Sequence, residues 1–178
     1  MTELNLSWVT PALAVGGRYP MEEAARLARE LSIRRVVDVR VETVDDEAVL
    51  RAHGITLLHL PTLDRCAISL SQLHEGVRWV NRQLDEGHRV YIHCEHGVGR
   101  SALLTCCVLV SRGCAPLEAL ELAKQARPVV SPSPEQLEAF IAWTREWRDG
   151  NAARWSPPSL EELMHIAYRH LRQEATRP

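Results

Sequence analysis

The 178-residue chain has no excess of positive charge. Its formal net charge is −2, whereas a general nucleic-acid binder usually advertises a basic surface. It has no apolar run able to cross a bilayer, since the longest, Ala102 to Val110, is too short. No basic segment followed by an apolar stretch opens the chain, so no secretory leader is expected. The five cysteines, Cys66, Cys94, Cys106, Cys107 and Cys114, are odd in number and form no disulfide framework. Cys106 and Cys107 are neighbours in an apolar run and read as packing residues. A reducing compartment, most simply the cytoplasm, is expected. Repeats and low-complexity segments are missing as well. What is there is an ordinary globular composition, 46% apolar and 25% charged residues. Such a chain can bury a core without disulfide or metal staples, and its length fits one domain with a small appendage.

Strands are expected at Leu13–Val15, Arg35–Val41, Ile55–Leu60 and Arg89–His93, from β-branched or continuous apolar runs bounded by glycine or proline. Helical spacing predicts helices over Met21–Leu31, Val44–His53, Ser69 or Ser71 to Glu86, Arg100–Ser111, Pro116–Arg127, Pro134–Arg148 and Leu160–Gln173. The alternation favours an α/β domain: a central, mainly parallel β-sheet flanked by α-helices, with an extra C-terminal helix. Residues 1–150 are read as the catalytic domain. Residues 151–178 are read as a helical extension on or next to it, with a break at Asp149–Asn151.

The densest chemistry lies in His93-Cys94-Glu95-His96-Gly97-Val98-Gly99-Arg100-Ser101. A buried strand ends at His93, a loop with two glycines follows, and an apolar helix begins near Arg100. Gly97 and Gly99 let successive N–H groups turn inward as an anion nest, and the helix N-terminus adds its positive end. These donors and Arg100 favour a thiolate at Cys94 and suit a bound phosphate. Arginine matches the task because its planar fork makes two parallel bonds to phosphate oxygens. A buried structural cysteine is the plain alternative, but it leaves Arg100 at the head of an apolar helix unexplained.

HCEHGVGRS resembles the His-Cys-x5-Arg-Ser/Thr signature of the protein tyrosine phosphatase superfamily. Length, element order and the lack of long insertions resemble its small dual-specificity branch, from about Leu13 to Arg148. The resemblance implies phosphate monoester hydrolysis through a phosphocysteine at Cys94, without a metal or other cofactor. It implies that Arg100 binds phosphate with the loop residues Glu95, His96, Gly97, Val98 and Gly99, and that a phosphate- or sulfate-like anion fits the loop. Asp64 fits the family's general acid in order and distance, its alternative being a loop-capping Asx turn. Ser101 resembles the hydroxyl that assists the leaving thiolate, its alternative being a helix cap. His93 resembles the histidine that braces the loop.

Several residues are open at this stage. Glu95, His96 and Val98 are expected at the pocket rim, where the Glu95 carboxylate would repel extra substrate phosphates. His96 resembles the loop of RNA 5′-triphosphatase relatives, but Gly99 stands where they carry asparagine. Arg40 is read as an ion-pair partner rather than a phosphate ligand. Cys66 is either a plain loop cysteine or a partner for Cys94 under oxidation. Gln136, after Ser131-Pro132-Ser133-Pro134, is a candidate contact to the site. The expected substrate is a phosphoprotein carrying phosphotyrosine, phosphoserine or phosphothreonine. The alternatives are a phospholipid, an RNA 5′-triphosphate, or a weakly active phosphate-binding module. No nucleic-acid partner and no membrane span are expected.

Overall fold

The apolar runs at residues 33–40 and 89–93 become the two inner strands of the sheet. Val36, Val37, Val39, Val90 and Ile92 are all fully buried, as strands covered on both faces require. The computed structural model describes residues 4–175; the first three residues and the last three of the expected extension lie outside them. The strands are β1 (Leu6–Thr10), β2 (Leu13–Gly16), β3 (Ile33–Arg40), β4 (Thr56–Thr62) and β5 (Arg89–His93), in the order β1-β2-β5-β3-β4. Only β1 runs antiparallel to its neighbour. The expected α/β architecture is therefore present.

Among the described residues eight α-helices accompany the strands: α1 (Ala24–Arg29), α2 (Glu47–Ala52), α3 (Leu70–Asp85), α4 (Arg100–Ser111), α5 (Pro116–Ala126), α6 (Pro134–Asn151), α7 (Leu160–Ala167) and α8 (Arg169–Ala175). Helix α4 is buried from Arg100 to Val110. It packs against α3, α5 and α6. Each fully buried leucine contributes roughly 1.5–3 kcal/mol.

Register places the chemistry. His93, the last residue of β5, lies opposite Gly16 of β2 and Asp38 of β3. The loop after β5 therefore opens at the carboxyl ends of parallel strands, where open α/β sheets bind ligands.

Four details differ from the sequence reading. Strand β1 was not expected; its five residues are all half-buried, so no two-residue alternation marks it. Helix α2 starts three residues later than expected, because Asp46 caps it through the N–H groups of Ala48 and Val49. Residues 41–46 become loop instead. Helix α6 continues through the expected break to Asn151 and stops where Ala152 turns left-handed at φ 51°. Gly150 in its last turn is tolerated because glycine weakens a frayed end little. The C-terminal helix is divided at Tyr168 into α7 and α8. Of its apolar stripe, Leu163 and Ala167 are fully buried in the core, while Leu171 is exposed.

Candidate active site

Cys94 is almost fully buried, yet its side chain reaches a cavity of about 320 Å³. The Gly97 N–H donates to its Sγ at 3.2 Å, and the Ser101 hydroxyl lies 3.3 Å from the same sulfur. Gly97 has φ +71°, and a Cβ there would stand 2.3 Å from the carbonyl carbon of Gly16. Only glycine fits, both for its backbone and because the loop presses against the end of β2. At Gly99 an added Cβ would meet Gln136 Oε1 at 2.4 Å. Helix α4 begins at Arg100 with Gly99 as its N-cap. The capping alternative for Ser101 is therefore not met: its hydroxyl sits between Cys94 Sγ and the Gly16 carbonyl, each at 3.3 Å.

Arg100 is buried, and its guanidinium is held from one side. Nη1 and Nη2 donate to the two carboxylate oxygens of Glu42 at 2.8 and 2.7 Å, and Nη1 also donates to the Thr62 carbonyl at 2.8 Å. Asp64 Oδ1 lies 3.3 Å from Nη2. The buried Nε has no hydrogen-bond partner among the described residues. Burial opposes the arginine's charge, but the Glu42 hydrogen bonds and the neighbouring Cys94 more than offset it. The same hydrogen bond from Arg100 holds the Glu42 carboxyl at about 2. Asp64 is exposed at the cavity mouth.

A charged network braces the loop from behind. His93 is fully buried; its Nε2 lies 2.8 Å from Asp45 Oδ2, to which the Tyr19 hydroxyl donates at 2.7 Å. Arg40 donates to Asp38 at 2.9 Å through both Nε and Nη2, and to Asp45 at 2.7 Å. Arg40 is thus the ion-pair partner expected of it. Burial raises the Asp45 carboxyl, but the hydrogen bonds and charges of His93, Tyr19 and Arg40 bring it below its ordinary value. Asp38, Asp45 and His93 bring one ligand-type atom each within 4.8 Å of one another. Here the Arg40 guanidinium already engages both carboxylates, which makes the trio a self-satisfied brace.

Of the loop side chains expected at phosphate, His96, Val98 and Arg100 line the cavity together with Gly99. Glu95 does not. Its carboxylate pairs with exposed Arg18 Nε at 3.1 Å and with buried Arg40 Nη1 at 3.3 Å. Glu95, expected at the pocket rim, is thus outside the cavity lining, and its charge is paired with two arginines. Gln136 is buried, lines the cavity and donates from Nε2 to the Cys66 carbonyl at 3.0 Å. Cys66 is a half-buried free thiol outside the cavity lining.

Sequence reasoning missed Glu42 and Asp45, which stand in a loop read as strand end and helix start. It also missed Arg127, whose Nε and Nη2 donate to the carbonyls of Gly97 and His96 at 2.8 and 2.9 Å. Arg65, one residue beyond Asp64, also lines the cavity; its adjacency to the acid was the available signal.

With this geometry in view, comparisons with known proteins are specific. The family model described as "Swiss Army Knife protein, DSP-PTPase phosphatase domain" matches residues 3–158. The chain is 33% identical over 138 residues to the mouse phosphatidylglycerophosphatase and protein-tyrosine phosphatase 1, covering 73% of this chain and 72% of that one. It is 28% identical over 141 residues to human dual specificity protein phosphatase 12, covering 79% of this chain and 39% of the relative. The solved structure of Tk-PTP in its active form superposes with a TM-score of 0.73 at 28% identity, covering 79% of this chain and 97% of that chain. The chain belongs to this family of dual-specificity-type cysteine phosphatase domains.

Proposed function

We propose that the chain hydrolyses phosphate monoesters in two steps on Cys94. The sulfur attacks phosphorus as the ester P–O bond breaks, and the Asp64 carboxyl gives its proton to the leaving oxygen. Water then attacks the phosphocysteine, Asp64 takes its proton, and the P–S bond breaks to release phosphate and the thiolate. Arg100 and the loop N–H groups hold the phosphoryl oxygens. Ser101 donates to the departing sulfur, and His93 positions the loop through Asp45.

The observation that carries this reading is the Cys94 sulfur at the cavity floor, with the Gly97 N–H and Ser101 hydroxyl within 3.3 Å of it. The unpartnered Nε of buried Arg100 supplies a further donor. Phenyl phosphate hydrolysis tests it. Wild type turns the ester over and Cys94→Ser does not; an inactive wild type, or an active Cys94→Ser, contradicts the reading.

A phosphoprotein is the substrate class expected from the sequence. A phospholipid is the second reading, favoured by the similarity to a phosphatidylglycerophosphatase and by the pairing of Glu95 with Arg18 and Arg40, which weakens its repulsion of additional negative charge. A reducing compartment is proposed as the setting, supported by the five free thiols.

A further inference from the structure

Helix α6 begins with a reciprocal cap. The Ser133 hydroxyl accepts from the Gln136 N–H at 3.2 Å, and Gln136 Oε1 accepts from the Ser133 N–H at 2.8 Å. These bonds fix both side chains and leave the hydroxyl proton and the amide NH₂ to donate elsewhere. Both donate to the loop that carries Asp64. The Ser133 hydroxyl donates to the Arg65 carbonyl at 2.8 Å, and Gln136 Nε2 donates to the Cys66 carbonyl at 3.0 Å. Glu135, between the two in sequence, accepts from the Ala67 N–H at 3.0 Å. Three successive residues after Asp64 are thus tied to the first turn of one helix.

The loop depends on such ties. Asp64 and Arg65 occupy a turn closed by the Cys66 N–H on the Leu63 carbonyl at 3.1 Å. Arg65 lies in the left-handed region at φ +63°, which a residue with a Cβ holds only where its surroundings impose it. Leu63, Asp64 and Arg65 are all exposed, so burial does little to fix the turn. The same cap also meets the cysteine loop, because Gln136 packs against Gly99. Asp64, Ser133, Gln136 and Cys94 line one cavity.

We propose that Ser133, seconded by Glu135 and Gln136, is a positioning residue for the proton donor: the cap of α6 holds the Asp64 carboxyl over the sulfur of Cys94. The inference rests on the acid role given to Asp64 in the phosphatase reading above. It implies an effect graded by the leaving group, because proton donation matters more as the departing oxygen becomes more basic. Two variants isolate the hydroxyl. Ser133→Gly removes it and keeps a tolerated N-cap, and Ser133→Thr restores it.

The test measures kcat/KM on phenyl phosphate, whose leaving group is basic, and on 4-nitrophenyl phosphate, whose leaving group needs little protonation. In Ser133→Gly the ratio of the first to the second is expected to fall about tenfold, part of the roughly 10²–10⁴ that a general acid supplies. Ser133→Thr should retain the ratio. In an Asp64→Asn background Ser133→Gly should change it no further, since the two residues act through one carboxyl. A merely structural role would lower activity on both esters equally. Equal losses, an unchanged ratio, or a further fall without the Asp64 carboxyl overturn the inference. A second readout needs no turnover. Tryptic cleavage after Arg65, located by mass spectrometry, is expected to be faster in Ser133→Gly than in wild type or Ser133→Thr. A wild type inactive on both esters overturns the phosphatase reading instead, and equal cleavage of all three proteins then removes the role of Ser133 separately.

Discussion

Glu42 grips Arg100 with both carboxylate oxygens, at 2.7 and 2.8 Å. The pair fixes the plane of the guanidinium that faces Cys94. Glu42→Gln removes one of the two charge-assisted bonds and the formal charge. Loss of positioning at a phosphate ligand should lower kcat/KM for phenyl phosphate about tenfold or more. Steady-state kinetics on the two proteins checks this.

The same pair has a pH signature. The Glu42 carboxyl titrates at about 2 in the folded chain, held down by the Arg100 hydrogen bond, against an ordinary value of 4.5. A carboxyl depressed by folding stabilises the folded state above its unfolded value, and that contribution is lost as pH falls through the folded one. The stability advantage of wild type over Glu42→Gln should therefore be complete above about pH 4.5. It should disappear as pH approaches about 2. Denaturant titrations at several pH values measure the difference.

Gly97→Ala places a Cβ 2.3 Å from the Gly16 carbonyl carbon at a φ of +71°. Backbone strain of this kind costs about 1–3 kcal/mol, and relief requires the loop to move off Cys94. The variant should fold with a lowered Tm and lose affinity for inorganic phosphate, read by calorimetric titration. Unaltered phosphate binding would show that the loop does not need this conformation.

Asp64 stands 3.3 Å from Arg100 and is exposed at the cavity mouth. General acid–base groups contribute roughly 10²–10⁴ in rate. Asp64→Asn should therefore cut kcat by about a hundredfold while phosphate affinity changes little, and the loss should be smaller for esters with good leaving groups. Equal turnover by the variant would assign the acid elsewhere.

The C-terminal helices reach the site through one loop. The Tyr168 hydroxyl donates to the Pro132 carbonyl at 2.6 Å, and buried Lys124 donates to the carbonyls of Val130 and Ala167 at 2.7 and 2.8 Å. Ser131 of that loop donates its N–H to the Val98 carbonyl at 2.9 Å. Tyr168→Phe removes one hydrogen bond, about 1 kcal/mol, or about 2–4 °C in Tm for a chain of this size. Differential scanning calorimetry detects it.

The parts of this molecule legible from sequence are those whose signal is local. Strands β3 and β5 are runs of branched apolar residues, α4 is apolar all round, and Cys94, Gly97, Gly99 and Arg100 lie within seven positions of one another. What was not legible depends on distant pairing. Leu6–Thr10 is a strand only because β2 lies beside it. Glu42 is an ordinary surface carboxylate until the loop after β3 brings it onto Arg100, 58 residues away in sequence. Glu95 was assigned to the pocket by its position in the motif, yet its side chain is claimed by Arg18 and Arg40. Arg40 lies on another strand, and no spacing rule could link the two.

The central claim is that phosphate passes through Cys94. Rapid acid quench during turnover of phenyl phosphate, followed by mass spectrometry of the peptide containing residues 93–100, tests it most directly. The account predicts a phosphoryl group on the Cys94 sulfur in wild type, accumulating further in Asp64→Asn when that variant is given an ester with a good leaving group, and absent from Cys94→Ser. Sustained turnover with no phosphorylated Cys94 at any quench time, or turnover retained in Cys94→Ser, would contradict it.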